Sequence, residues 1–280
     1  MFLDVRGTHI GYDCYGDGDT HLLLLHAFPL NRKQWEQQGQ GWATTFGGSV
    51  VALDLLGFGE SGIETGPTTM DLMAEYVFGA MDALHVERCA VCGLSLGGYV
   101  AFAMLRQHPE RISGLVLADT RATADTPQQR QGREESAQSI TADGVVAFFD
   151  RDVPRLFGQT ARNLHPQIVD RAREIARLNN DIGAAAAARG MGLRPDSTAL
   201  LPNINVRTLV LVGGEDAIIP HDQARGMAQA IPNAEFAVIQ SAGHLSNMEQ
   251  ASRFGDAVAR FMQGRVLGLG TPSASPSRGT

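Results

Sequence analysis

Short apolar runs alternate with segments of helical spacing along most of this chain, and that alternation restricts its fold more than any other feature. Strand-like runs occupy residues 8–15, 21–25, 49–53, 88–92, 115–118, 208–212 and 235–239. Between them, residues 31–46 (weakened by Gly39 and Gly41), 68–84, 97–107 and 247–262 read as helices. Leu72, Tyr76, Met81 and Leu84 follow helical spacing, Thr68 or Thr69 can cap their helix, and Pro109 stops the helix before it. Strands that alternate with helices predict an α/β fold, a mostly parallel central sheet with helices on both faces. The alternation stops between residues 119 and 202, where residues 128–140, 144–157, 167–178 and 184–188 suggest consecutive helices. Ile168, Ala172 and Ile175 form an apolar stripe there, with Arg171, Glu174 and Arg177 on a solvated face. The expected organisation is a core of residues 1–119 and 203–264, a helical cap of residues 120–202 inserted into it, and a disordered tail at 265–280 rich in Gly, Ser and Pro.

Composition narrows the function classes. The 280 residues carry a formal net charge of −7, and the one lysine is Lys33. Such a chain is not drawn electrostatically to nucleic acid or an anionic membrane, and lysine chemistry is largely removed. The three cysteines form no disulfide framework, and Cys89 and Cys92, three apart in a strand, point to opposite faces of it. No run is long enough to span a bilayer, and the opening residues lack a basic stretch and a long apolar run, so a cytoplasmic location is expected.

The residues that bear on chemistry lie where strands end. Gly93-Leu94-Ser95-Leu96-Gly97 sits between a strand and a helix. It is either a tight turn with a capping serine or a nucleophile elbow, in which glycines admit a strained, exposed serine. A serine nucleophile needs a base and an acid to orient that base, which in an elbow enzyme follow it as acid, then histidine. Of the later histidines, His108 ends the serine's own helix, His165 lies in the helical block and His221 opens a helix. His244, in the loop after the strand at 235–239, is the expected base. Asp216 follows another strand and is the expected acid, with Asp119 as its rival and Glu215 read as solvated or locally paired. Gly57-Phe58-Gly59-Glu60-Ser61-Gly62 matches the spacing of a dinucleotide fingerprint, but no helix opens within it, and no metal-ligand cluster is visible. No cofactor is expected.

Together these motifs resemble the α/β-hydrolase superfamily over nearly the whole chain, and within it the capped serine esterases and lactonases similar to 3-oxoadipate enol-lactonase. His26-Ala27-Phe28-Pro29 is similar to that family's oxyanion segment, with Ala27 where glycine is common. The resemblance implies an α/β-hydrolase fold, a Ser95–His244–Asp216 triad, and an oxyanion hole built from the amides of Phe28 and Leu96. His26 would brace the oxyanion loop and Asp54 would anchor its own turn. The implied substrate is a small ester or lactone, with no nucleic-acid or membrane partner; the oligomeric state is left open. Cofactor-free haloperoxidases that act as perhydrolases are a second possibility. Phe28 and Leu55 stand where those enzymes usually have tryptophan and a basic residue, which weakens it. A third is a non-catalytic small-molecule receptor on the same fold. Phe148, Phe149, Phe157 and Ile218, with Val145, Val146 and Leu156, are expected to form an apolar pocket without a basic cluster, selecting neutral substrates.

Overall fold

A computed structural model describes residues 1–18 and 21–266. Strands β1 (Phe2–Val5), β2 (Thr8–Tyr15) and β3 (His21–Leu25) open the chain, followed by a 3-10 turn at Arg32–Trp35 and helix α1 (Glu36–Phe46). Then come β4 (Ser49–Leu53), α2 (Met70–Ala83), β5 (Cys89–Leu94), α3 (Leu96–Gln107) and β6 (Ile112–Ala118). Five consecutive helices follow, namely α4 (Pro127–Asp143), α5 (Val145–Leu156), α6 (Gln159–Leu164), α7 (Pro166–Arg177) and α8 (Asp181–Gly192). The chain then returns to the sheet through β7 (Thr208–Gly213), α9 (His221–Ala230) and β8 (Glu235–Ile239), and closes with α10 (Ser246–Glu249) and α11 (Ala251–Phe261).

The eight strands form one sheet in the order β1-β2-β4-β3-β5-β6-β7-β8, with β1–β2 and β2–β4 antiparallel and the remaining pairs parallel. Its central strands are apolar throughout because both faces are covered. Leu23, Leu25, Val51, Leu53, Val91 and Leu115 join the core beneath α2 and α3. Their neighbours Leu22, Leu24, Val50, Ala52, Cys92 and Val116 join the core beneath α1 and α11. Cys89 belongs to the first core and Cys92 to the second, and both are free thiols, as two-residue alternation along a strand requires.

Local chemistry sets the helix starts. Thr69 accepts a hydrogen bond from the Leu72 amide at α2, and Thr126 forms a capping box with Gln129 at α4. Three features differ from expectation. β1 is an additional short edge strand, paired to β2 across the Arg6-Gly7 turn, whose residues have φ of 56° and 80°. α6 is an additional helix of six residues, too short to show a periodic stripe. The single closing helix expected over residues 247–262 is two helices, separated at Gln250, whose φ of −134° and ψ of 59° are not helical. Of the expected tail, Arg265 and Val266 complete a π-helical turn, Met262–Val266, and residues 267–280 lie outside the described residues. Among the described residues no helix is long and apolar enough to cross a membrane.

Candidate active site

The turn between β5 and α3 is bent sharply. Ser95 has φ of 53° and ψ of −106°, a conformation that side-chain-bearing residues rarely adopt. Its hydroxyl does not cap α3, which excludes the capping-serine reading. The flanking glycines are required sterically. A Cβ on Gly97 would collide with the carbonyl of Leu25, and one on Gly93 with the carbonyl of Gly97. The backbone is tied on both sides: Ser95 N donates to Ala118 O at 2.9 Å and Gly97 N to His26 O at 3.1 Å.

His244 and Asp216 reach this turn from the loops after β8 and β7. His244 Nε2 lies 2.8 Å from Ser95 Oγ, and His244 Nδ1 lies 2.9 Å from Asp216 Oδ2. The other oxygen of Asp216 accepts from the amides of Ile218 (2.7 Å) and Ile219 (3.0 Å), and the side chain is fully buried. Burial alone would raise this carboxyl. The imidazole beside it and the Ile219 and Ile218 amides outweigh burial and hold it below the usual carboxylate range. Asp119 does not reach the imidazole. It accepts from Gly213 N at 2.7 Å and meets Ser246 Oγ, while burial and then the charge of Asp216 raise it well above that range. His108 and His165 are exposed, and His221 Nε2 meets Gly213 O at 2.9 Å.

The segment after β3 carries Phe28, which lines the same cavity as Ser95. Neither Phe28 N nor Leu96 N has a backbone partner outside its own helix or strand among the described residues. This segment is braced from three directions. His26 donates through Nδ1 to Ala27 O (2.9 Å) and accepts through Nε2 from Leu55 N (3.0 Å), and burial pushes it down to about 4, so it is neutral. Asp54 accepts from Arg32 N and Glu60 N, both at 2.8 Å, and pairs with the Arg32 guanidinium. Asn179, between α7 and α8, donates to Pro29 O at 2.7 Å and accepts from Gly59 N at 2.8 Å. No sequence pattern marks Asn179, because its partners lie 150 and 120 residues away.

A cavity of about 250 Å³ opens over Ser95 and His244, between the sheet and the α4–α5 helices. Phe28, Phe148, Leu156, Met191 and Ile218 form its apolar wall. Phe149 and Phe157, expected in this wall, are not there. They are fully buried edge-to-face against each other, with ring centroids 6.2 Å apart: Phe149 lies about 100° round α5 from Phe148, and Phe157 follows the end of α5 in extended backbone. The expected absence of basic groups is also overturned, for Arg121, Arg133 and Arg155 line the same cavity. Gln129, Gly132, Arg133 and Ser136 fall at i, i+3, i+4 and i+7 of α4, and Phe148, Asp152 and Arg155 at i, i+4 and i+7 of α5. That spacing was available in the sequence, but polar stripes on a helix read as solvated faces.

Glu215 is half-buried and pairs at long range rather than locally, accepting from Thr160 N at 2.8 Å and from the Thr160 hydroxyl in α6. Glu249, which sequence reasoning did not single out, accepts from Gly243 N (2.8 Å), Gly158 N (2.9 Å) and Leu245 N (3.2 Å). It thereby ties both neighbours of His244 to the α5–α6 junction. Among the described residues no group of His, Cys, Asp and Glu side chains is placed to hold a metal ion. In Gly57–Gly62 no helix opens, and the next helix begins at Met70.

Residues 20–251 match the alpha/beta hydrolase fold family, and this chain belongs to it. It is 36% identical to a thermophilic esterase from Thermogutta terrifontis, with a TM-score of 0.90 over 94% of this chain and 98% of that one. It is 24% identical to 3-oxoadipate enol-lactonase 2 of Acinetobacter baylyi over 93% of this chain and 96% of that protein. It is also 30% identical to the dihydrolipoyllysine-residue acetyltransferase component of the acetoin cleaving system of Cupriavidus necator, over 94% of this chain and 69% of that protein.

Proposed function

We propose that this protein is a serine hydrolase of small carboxylic esters or lactones. The observation that carries the reading is the unbroken hydrogen-bonded series from Ser95 through His244 to Asp216, at 2.8 and 2.9 Å, beneath a cavity. Membership of the family, together with relatives named as an esterase and an enol-lactonase, supports it.

Ser95 Oγ attacks the carbonyl carbon as its proton passes to His244 Nε2. Asp216 stabilises the resulting imidazolium and fixes its orientation. The oxyanion is received by the amides of Phe28 and Leu96, where two preorganised donors favour charge that develops in the transition state. Collapse breaks the C–O bond, and the departing alkoxide takes the proton from Nε2; in a lactone it stays tethered to the acyl group. Water then attacks the acyl-serine, giving its proton to Nε2, and a second collapse releases the acid and restores the Ser95 hydroxyl. The helices of residues 120–202 serve as a cap that roofs the reacting bond. No step uses a cofactor.

Ser95→Ala should lower kcat by about 10⁴-fold or more for any ester turned over, with unchanged unfolding behaviour. A variant retaining a tenth of wild-type activity would show that Ser95 is not the nucleophile.

A further inference from the structure

The inserted helices reach the segment after β3 through a buried side-chain amide. Asn179, in the turn between α7 and α8, meets three partners from distant parts of the chain. Its Nδ2 donates to Pro29 O at 2.7 Å, and its Oδ1 accepts from Gly59 N at 2.8 Å and from Asn31 Nδ2 at 3.1 Å. Asn31 Nδ2 also donates to Ile175 O in α7 at 3.1 Å. A carbonyl can be met only by the amide nitrogen and a backbone N–H only by the oxygen, so these partners fix the side chain in one orientation. Asn179, Pro29 and Asn31 are all buried, where a lost bond leaves its partner unsatisfied.

Two peptide planes carry that bond to the Phe28 amide. The Pro29–Leu30 and Ala27–Phe28 peptides are trans, and in a planar trans peptide the carbonyl and the N–H point in opposite directions. Pro29 O, held by Asn179, therefore sets the direction of Leu30 N–H at the other end of the same peptide. Leu30 N donates to Ala27 O at 2.9 Å. Ala27 O shares its peptide with Phe28 N, so whatever holds this oxygen turns the Phe28 N–H the other way. Two further bonds act on Ala27: His26 Nδ1 donates to its carbonyl and its own N donates to Gln34 Oε1, each at 2.9 Å. Both come from the connection between β3 and α1, whereas Asn179 brings the inserted helices to bear on the same peptide.

We propose that Asn179 is a positioning residue for the oxyanion site, setting through these two peptides where the Phe28 amide points. The inserted helices then do more than roof the cavity, because the α7–α8 turn governs how well the developing charge is received. This rests on the hydrolase reading above and deepens it. Removing a whole oxyanion donor costs about 10²- to 10³-fold in kcat. His26 and Gln34 still hold Ala27 when the Asn179 bond is lost, so the amide is displaced rather than removed, and about tenfold is expected. Acylation and deacylation pass through the same oxyanion, so the loss falls on kcat and leaves KM near its wild-type value.

Asn179→Asp keeps the size of the side chain and the acceptor for Gly59 and Asn31, and takes away the donor to Pro29. Asn179→Ala takes away the same donor without bringing a charge to Pro29 O. With p-nitrophenyl acetate both variants should lose about tenfold or more in kcat, with KM within about twofold. Two competitive inhibitors separate positioning from a merely structural role. With trifluoromethyl propyl ketone, Ser95 Oγ bonds to the carbonyl carbon, its proton passes to His244 Nε2, and the carbonyl oxygen becomes an alkoxide in the oxyanion site. Methyl propyl ketone fills the same space and stays a ketone. The inhibition constant of the first should rise about tenfold in both variants while that of the second holds, a ratio independent of how much of the protein is folded. Asn180→Ala, which removes the side-chain cap of α8 and leaves Asn179 in place, should not move the ratio. A kcat within about twofold of wild type in both variants, equal weakening of the two ketones, or a ratio moved as far by Asn180→Ala would overturn the inference and leave the triad untouched. A fluorine NMR resonance of the hemiketal that persisted in Ser95→Ala would overturn the hydrolase reading, and this inference with it.

Discussion

Two aspartates 97 residues apart in the chain show how the proposed site separates roles that look identical in sequence. Asp119 and Asp216 both follow strands, and both are buried. Asp216 faces the imidazole and two amides, which keep it ionised, whereas Asp119 faces Gly213 N and the Ser246 hydroxyl and is raised by burial and by Asp216. Asp216→Asn should therefore lower kcat by about 10³-fold or more, since an amide no longer fixes the tautomer of His244. An asparagine at 119 can still accept from Gly213 and donate to Ser246. Asp119→Asn should stay within about tenfold, the scale of 1 kcal/mol of altered hydrogen bonding. Steady-state kinetics of the two variants decide between them, and a reversed ranking would place the acid on Asp119. Ser95 adds a cost of its own, because a side-chain-bearing residue at φ 53° is strained by about 1–3 kcal/mol, and the network around the turn must over-determine it.

At the scale of elements, the short helix α10 anchors two distant segments through Glu249. Its carboxylate holds the His244 loop on one side and the α5–α6 junction on the other. Burial raises Glu249 to about 7, against the pull of the Gly243, Gly158 and Leu245 amides. An unfolded glutamate releases its proton near 4.5, so between that pH and about 7 the folded chain binds the extra proton. The contribution of this group to stability is full below the unfolded value and is lost as pH rises through the folded one. At about 1.4 kcal/mol per pH unit, the loss is up to about 3 kcal/mol. Urea unfolding of the wild type and Glu249→Gln at about pH 5 and about pH 7.5 should show the wild type losing ground to the variant as pH rises. A constant difference between the two would mean that Glu249 is ionised throughout.

For the whole molecule, the sheet divides the interior into two cores, and the paired cysteines report on both at once. Cys89 and Cys92 are buried on opposite faces, and burial pushes the Cys89 thiol up to about 12 and raises Cys92 as well. Cys14 is exposed. With iodoacetamide, one thiol per native chain should react promptly, and the other two should react only as fast as the chain unfolds globally. Prompt labelling of a second thiol would show that one face of the sheet opens on its own.

Apart from β1, α6 and the break at Gln250, the order of strands and helices was legible from the chain alone, and so was the meeting of Ser95, His244 and Asp216 at the ends of three strands. Each depends on local periodicity or on a loop that must follow a strand in a parallel sheet, and both are properties of neighbours in sequence. Phe149 and Phe157 show where that reasoning stops. Periodicity marks a helix as two-faced, but not which face meets the cavity and which meets the core, and the hydrophobic side of α5 was divided between the two. The same limit hid the arginines. Arg133 and Arg155 lie on polar stripes that would be solvated on an isolated helix, and Arg121 follows a strand without any pattern. Only the packing of α4 against α8 and over the strand ends gathered the guanidinium groups of Arg121, Arg133 and Arg194 around Asp125, because charge in a cavity is set by contacts between distant segments.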